Sequence, residues 1–157
     1  LGPILGASDV KVGVVSTLRD VQDQLMQWLE WFRLIGFAHM FLYFDDPEHD
    51  EAAIEEARAT YSSDFVSFCL YTGLVNAACC HKAQLHVSSL SLRHGEQLRE
   101  EWQHLRSWPK FSKYTDDRMC RQLLNIAHAL KRAACETENE AVDWVIHLDH
   151  DELFLPP

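Results

Sequence analysis

The feature that most constrains this chain is an alternation of two hydrophobic periods along its length. Lys11-Val12-Gly13-Val14-Val15-Ser16-Thr17 is a β-branched run of the kind a buried strand uses. Val21, Leu25, Trp28, Leu29, Phe32 and Ile35 then recur at helical spacing, with Asp20 placed to N-cap the helix and Gly36 to end it. His39-Met40-Phe41-Leu42-Tyr43-Phe44 is apolar on both faces, as an interior parallel strand is. A short helix over 51–59, capped by Asp50 and turning Ala53, Ile54 and Ala57 inward, leads to a third strand over 65–71. The last strand, Val142-Asp143-Trp144-Val145-Ile146-His147-Leu148, runs straight into Asp149-His150-Asp151-Glu152. This series predicts an α/β fold, a three-layer Rossmann-like arrangement with helices on both faces of a mostly parallel sheet. The natural strand order is 3-2-1-4, which puts Thr17, Asp45 or Asp46, and Asp149 at one carboxyl edge, where such sheets bind ligands.

Between the third and last strands, residues 74–115 read as a helical insert within one domain spanning 1–157. Residues 76–92 are expected to be helical. Leu98, Trp102 and Leu105 predict an amphipathic helix over 96–106, and 107–114, with Pro109, reads as a loop. Asp116 or Asp117 caps a helix over 118–134. Its expected apolar face is Met119, Leu123, Ile126, Ala127 and Leu130, with Arg121, Asn125, His128 and Arg132 opposite.

A chain of 157 residues can bury a core of ordinary size. Its 24 Asp and Glu against 14 Lys and Arg argue against a nucleic-acid partner, which needs a basic face. A phosphate ligand stays open, because a divalent cation can carry the positive charge. No apolar run approaches the roughly 20 residues of a membrane helix. Leu1-Gly2-Pro3-Ile4-Leu5-Gly6 lacks a Met and a basic stretch, so no signal peptide is expected. With Pro156-Pro157 at the other end, the chain reads as a piece of a longer protein, anchored in an ER or Golgi membrane or cytoplasmic. Five scattered Cys without a C-x-x-C read as reduced thiols.

Asp149 and Asp151 are the sharpest chemical signal. Two carboxylates one residue apart at a strand end reach one site if the strand direction continues. Hard oxygen ligands of this kind suit Mn²⁺ or Mg²⁺; the bland alternative is a solvated acidic turn. His147 and His150 flank the pair, and with it they allow a metal-dependent hydrolase arrangement. Asp45 and Asp46 form either a turn before Pro47 or an acceptor for a ligand's ring N–H or sugar hydroxyl. Arg19 and Arg121 are either solvated or paired with a phosphate. No Gly-rich loop follows the first strand, which argues against a P-loop or dinucleotide-binding enzyme.

Three segments resemble one enzyme group. Trp28-Leu29-Glu30-Trp31-Phe32-Arg33-Leu34-Ile35-Gly36-Phe37-Ala38-His39, Phe41-Leu42-Tyr43-Phe44-Asp45-Asp46-Pro47-Glu48-His49-Asp50 and Asp143-Trp144-Val145-Ile146-His147-Leu148-Asp149-His150-Asp151-Glu152-Leu153-Phe154 occur in family order. They are similar to segments of the family 2-like and family 92-like glycosyltransferases of the GT-A fold. The resemblance implies the nucleotide-sugar-binding half of such a transferase, of the nucleotide-diphospho-sugar transferase type. A UDP-sugar would be the donor and Mn²⁺ or Mg²⁺ the cofactor. Thr17 and Arg19 would border the nucleotide, Asp45 or Asp46 would receive the base or ribose, and Arg121 would match a basic residue on the helix before the D-x-D. Asp149 would sit by the ribose and Asp151 on the metal. The fold would be truncated after the D-x-D strand. The catalytic base and the acceptor site would lie beyond Pro157, and the acceptor itself is open. Pro47-Glu48 departs from the family's Gly-Ser. Two rivals are a metal-dependent phosphohydrolase and a non-catalytic nucleotide-binding or scaffold domain.

Overall fold

The computed structural model describes residues 10–22, 24–70, 96–134 and 140–155. The fold is α/β, in the order β1 (Val12–Leu18), α1 (Leu25–Ile35), β2 (His39–Phe44), α2 (Glu51–Thr60), β3 (Val66–Leu70), α3 (Glu96–Trp102), α4 (Trp108–Phe111), α5 (Arg118–Ala133) and β4 (Trp144–His147). The four strands form one open, all-parallel sheet in the order β3-β2-β1-β4, the order the sequence predicts. The helix expected over 76–92 lies outside the described residues. No helix among the described residues is long and apolar enough to cross a membrane.

Side chains of β1 and β2 alternate between two cores, as period-two geometry dictates. Val14, Leu18, Met40, Leu42 and Phe44 pack with α1 and α2 through Leu25, Trp28, Leu29, Phe32, Ile35 and Ile54. Val15, Phe41 and Tyr43 face the other way, onto Trp102, Leu105, Leu124 and Ala129. The sheet is therefore the middle of three layers. α1 docks through the apolar stripe read from its spacing, and Gly36 ends it at φ 94°, a left-handed conformation that glycine adopts without a Cβ penalty.

Four local expectations are corrected. Asp20 does not cap α1: the helix starts at Leu25 after Gln24, and Asp20 itself is left-handed at φ 59°. Asp50 precedes α2, but its carboxylate leaves that helix and accepts from the backbone N–H groups of Asp20 (3.1 Å) and Val21 (3.0 Å). It thereby staples the β1–α1 loop onto the start of α2. The stretch 107–114 contains the helical turn α4, with Pro109 in its first turn, where the missing N–H costs nothing.

The fourth correction is the largest. α5 runs where expected, with Asp117 capping it through an acceptor bond from Cys120 N, but it is rotated about its axis from the expected orientation. Gln122, Leu124, Asn125, His128, Ala129 and Ala133 are buried, whereas Met119, Leu123 and Leu130 of the expected apolar face are exposed, and its Ile126 and Ala127 are half-buried against the core. Local hydrophobic period placed the apolar stripe inward; polar partners on the strands hold a different face there.

Candidate functional site

Those partners lie at the carboxyl edge of the sheet. β1 and β2 run in register to Leu18↔Phe44, and Asp45 N donates to Leu18 O at 2.9 Å. β4 reaches His147 opposite Val15, and Leu148 N donates to Val15 O. Thr17, Asp45 and Asp149 therefore meet at one edge, as the proposed strand order requires. Each is met by a side chain from the first half of α5. Arg121 forks onto Asp45, with Nε to Oδ1 at 3.0 Å and Nη2 to Oδ2 at 2.7 Å. Gln122 Nε2 donates to Asp149 Oδ1 at 3.4 Å. Asn125 Nδ2 donates to Thr17 Oγ1 at 2.9 Å.

This geometry gives the predicted residues distinct roles. Arg121 also donates through Nη1 to the carbonyls of Thr115 and Asp116. It ties the chain entering α5 to the end of β2, and its guanidinium is engaged on Asp45. Thr17 is buried beneath Asn125. Asp46 is half-buried and accepts from His49 N at 3.3 Å, the turn geometry expected before Pro47. Arg19 is exposed and lies 3.7 Å from Asp20, at the loop fixed by Asp50.

The acidic segment does not continue as a strand. Residues Asp149–Glu152 form a turn closed by Glu152 N to Asp149 O at 3.0 Å, and the Glu152 carboxylate accepts from Asp149 N at 3.1 Å. The premise that strand direction carries Asp149 and Asp151 onto one face is thus corrected. Asp149 is half-buried toward α5, and Asp151 is exposed in the turn. Among the described residues, no three His, Cys, Asp or Glu side chains gather closely enough to hold an ion by themselves. The donors at the edge are nonetheless hard carboxylate oxygens. They fit a cation that keeps several waters and shares a ligand's phosphate oxygens. His147 is exposed, and His150 has its Nδ1 buried with no hydrogen-bond partner.

Sequence reasoning missed the polar seam behind the edge. His128 Nδ1 and the Tyr43 hydroxyl share a hydrogen bond of 2.8 Å, and His128 Nε2 lies 2.8 Å from Glu101 Oε2 on α3. The hydrogen bond from His128 outweighs burial and holds the Glu101 carboxyl below its usual range. One turn along α5, Arg132 pairs with Glu140 and donates to Cys69 Sγ. The signal that existed was spacing: Arg121, Gln122, Asn125, His128 and Arg132 share one helical face. No protein-family model, curated protein or solved structure matches this chain.

Proposed function

We propose that this chain is the nucleotide-sugar-binding half of a metal-dependent glycosyltransferase of the GT-A type, binding a nucleoside-diphosphate sugar. The observation that carries the reading is the convergence of Thr17, Asp45 and Asp149 at one sheet edge, with the D-x-D immediately after the strand beside β1. The three motif segments behind the resemblance contribute most of α1, the end of β2 and the acidic turn, and Trp28 of α1 donates to the Glu152 carbonyl of that turn. Asp149 and Asp151 would hold Mn²⁺ or Mg²⁺. When bound, the cation would supply positive charge against a diphosphate leaving group. The chain's own residues set the frame: Gln122 orients Asp149, and Asp45 with Arg121 fixes the floor. Asp46, half-buried and accepting from His49 N through Oδ1, is the carboxylate better placed to accept from a base or ribose, because Arg121 holds both oxygens of Asp45.

Calorimetric titration with UDP in Mn²⁺ and then in chelator tests the reading. Wild type is expected to bind more tightly with Mn²⁺. Asp151→Asn, which keeps shape and removes a charge, is expected to lose that difference while its folding is unchanged. Equal wild-type affinity in both conditions would defeat the metal bridge. The buried, unpartnered Nδ1 of His150 favours a second reading, a metal-dependent phosphohydrolase. Turnover of a simple phosphate ester that His150→Ala abolishes would select it.

A further inference from the structure

Beyond Leu148, whose N–H still donates to Val15 O, no strand among the described residues bonds to the chain that carries the acidic turn. Its shorter hydrogen bonds to a helix come from α1. Trp28 Nε1 donates to the carbonyl of Glu152 at 3.0 Å, and Trp31 Nε1 donates to the carbonyl of Phe154 at 3.0 Å. The Phe154 ring then packs edge-on against Phe37, with centroids 5.6 Å apart, just past the end of α1. Phe37 in turn meets Phe32, and Phe32 meets Trp28, in the same edge-on manner. The Gln122 contact to Asp149 is longer, at 3.4 Å.

Two anchors two residues apart fix both the position and the rotation of a chain segment, where one would leave a pivot. Trp28 and Trp31 stand three residues apart on α1, about 4.5 Å along its axis, so both indoles lie on neighbouring parts of one face. Both are spent on backbone acceptors. They recognise the path of residues 152–154 whatever their side chains. Burial alone does not require the N–H groups: a phenylalanine would fill most of either place.

We propose that Trp28 and Trp31 are positioning residues, which hold the Asp149–Glu152 turn in the pose where Asp149 meets Gln122. Through that turn, α1 sets the geometry of the site. The role in ligand binding rests on the functional reading above; the role in holding the turn does not.

The test uses Trp28→Phe, Trp31→Phe and the double variant, each keeping an aromatic ring and losing the donor. Amide hydrogen exchange followed by NMR reads the turn directly. Exchange at residues 149–154 is expected to quicken roughly fivefold to tenfold per variant, the size of one lost hydrogen bond, and more in the double variant. Exchange in β1 and β2 should stay at the wild-type rate. Wild-type exchange across 149–154 in the double variant would overturn the proposal. A second arm measures UDP affinity with Mn²⁺, and Mn²⁺ alone by electron paramagnetic resonance. A drop of about tenfold in the double variant is expected where UDP affinity in chelator is unchanged. A loosened turn with unaltered Mn²⁺-dependent affinity would overturn the link to the site. A loosened turn in a protein whose wild type shows no Mn²⁺ effect would keep the positioning role and sink the glycosyltransferase reading instead.

Discussion

The rotation of α5 can be tested on two neighbouring leucines. Leu123 is 44% exposed, and Leu124 is fully buried among Val15, Phe41, Tyr43, Trp102 and Ala129. Truncating Leu124 to Ala removes a side chain that the sheet and α3 cannot easily close over. Strands are fixed by their ladders, so the cavity persists and the cost is about 3 kcal/mol, within the range of 2–5 for buried Leu→Ala. Leu123→Ala removes no core contact and raises helix propensity slightly, so its effect is expected within about 0.5 kcal/mol. For a domain of this size about 3 kcal/mol corresponds to a fall in Tm of roughly 6–12 °C. Urea unfolding followed by circular dichroism gives both values, with m unchanged if only the native state is affected. Equal costs, or a larger cost at Leu123, would show that the apolar stripe faces inward after all. Gln122, Asn125 and His128 would then point away from the strands, and the edge described above would come apart.

Two further outcomes are expected. Burial, opposed only in part by the Asp20 and Val21 amides, raises the Asp50 carboxyl above its usual range. Its proton is therefore held more tightly in the folded chain than in the unfolded one. Its contribution to stability is full below about pH 4 and is lost as pH rises through the folded-state pKa. The stability of wild type relative to Asp50→Asn should fall across that mildly acidic range, and urea melts showing the opposite slope would refute this. The Arg121–Asp45 fork should show strong coupling in a double-mutant cycle. Arg121→Ala alone should cost about 2–3 kcal/mol, below the 3–5 of a fully buried pair because Arg121 keeps 21% exposure. Additive effects of Arg121→Ala and Asp45→Ala would show that the two do not depend on each other.

What the sequence disclosed and what it hid divide along one physical line. β2 was legible because every side chain from His39 to Phe44 is buried, so the apolar run carries its own information. α1 was legible because its partners are apolar, and any apolar surface satisfies Trp28, Leu29 and Phe32. The orientation of α5 was not legible. The groups that turn it inward are Asp45, Tyr43 and Thr17, 76, 85 and 108 residues away from their partners on the helix. A local hydrophobic period cannot see a distant acceptor. The convergence at the carboxyl edge followed from strand order alone, whereas the pose of Asp151 depended on a turn that strand periodicity does not describe. The donor to that turn, Trp28, was legible as a core residue, but its N–H was not legible as an anchor, because its acceptor is a backbone carbonyl and leaves no trace in residue identity.

The strand order has a consequence for how the protein assembles. β1 pairs with β2 through residues such as Gly13 and His39, 26 apart, but with β4 through Val12 and Trp144, 132 apart. Closing the longer loop costs about 1.4 kcal/mol more in chain entropy than closing the shorter one. The β1-α1-β2-α2-β3 segment can therefore gather first, leaving one side of β1 with its amides and carbonyls unmatched. On a ribosome adding about 5–20 residues per second, the strand that completes it, some 77 residues beyond the end of β3, follows roughly 4–15 s later. Through that interval the middle of the final sheet is an edge, open to pairing with another nascent chain. Chaperone dependence and aggregation during synthesis should accordingly track the arrival of β4, more than the stability of the finished sheet.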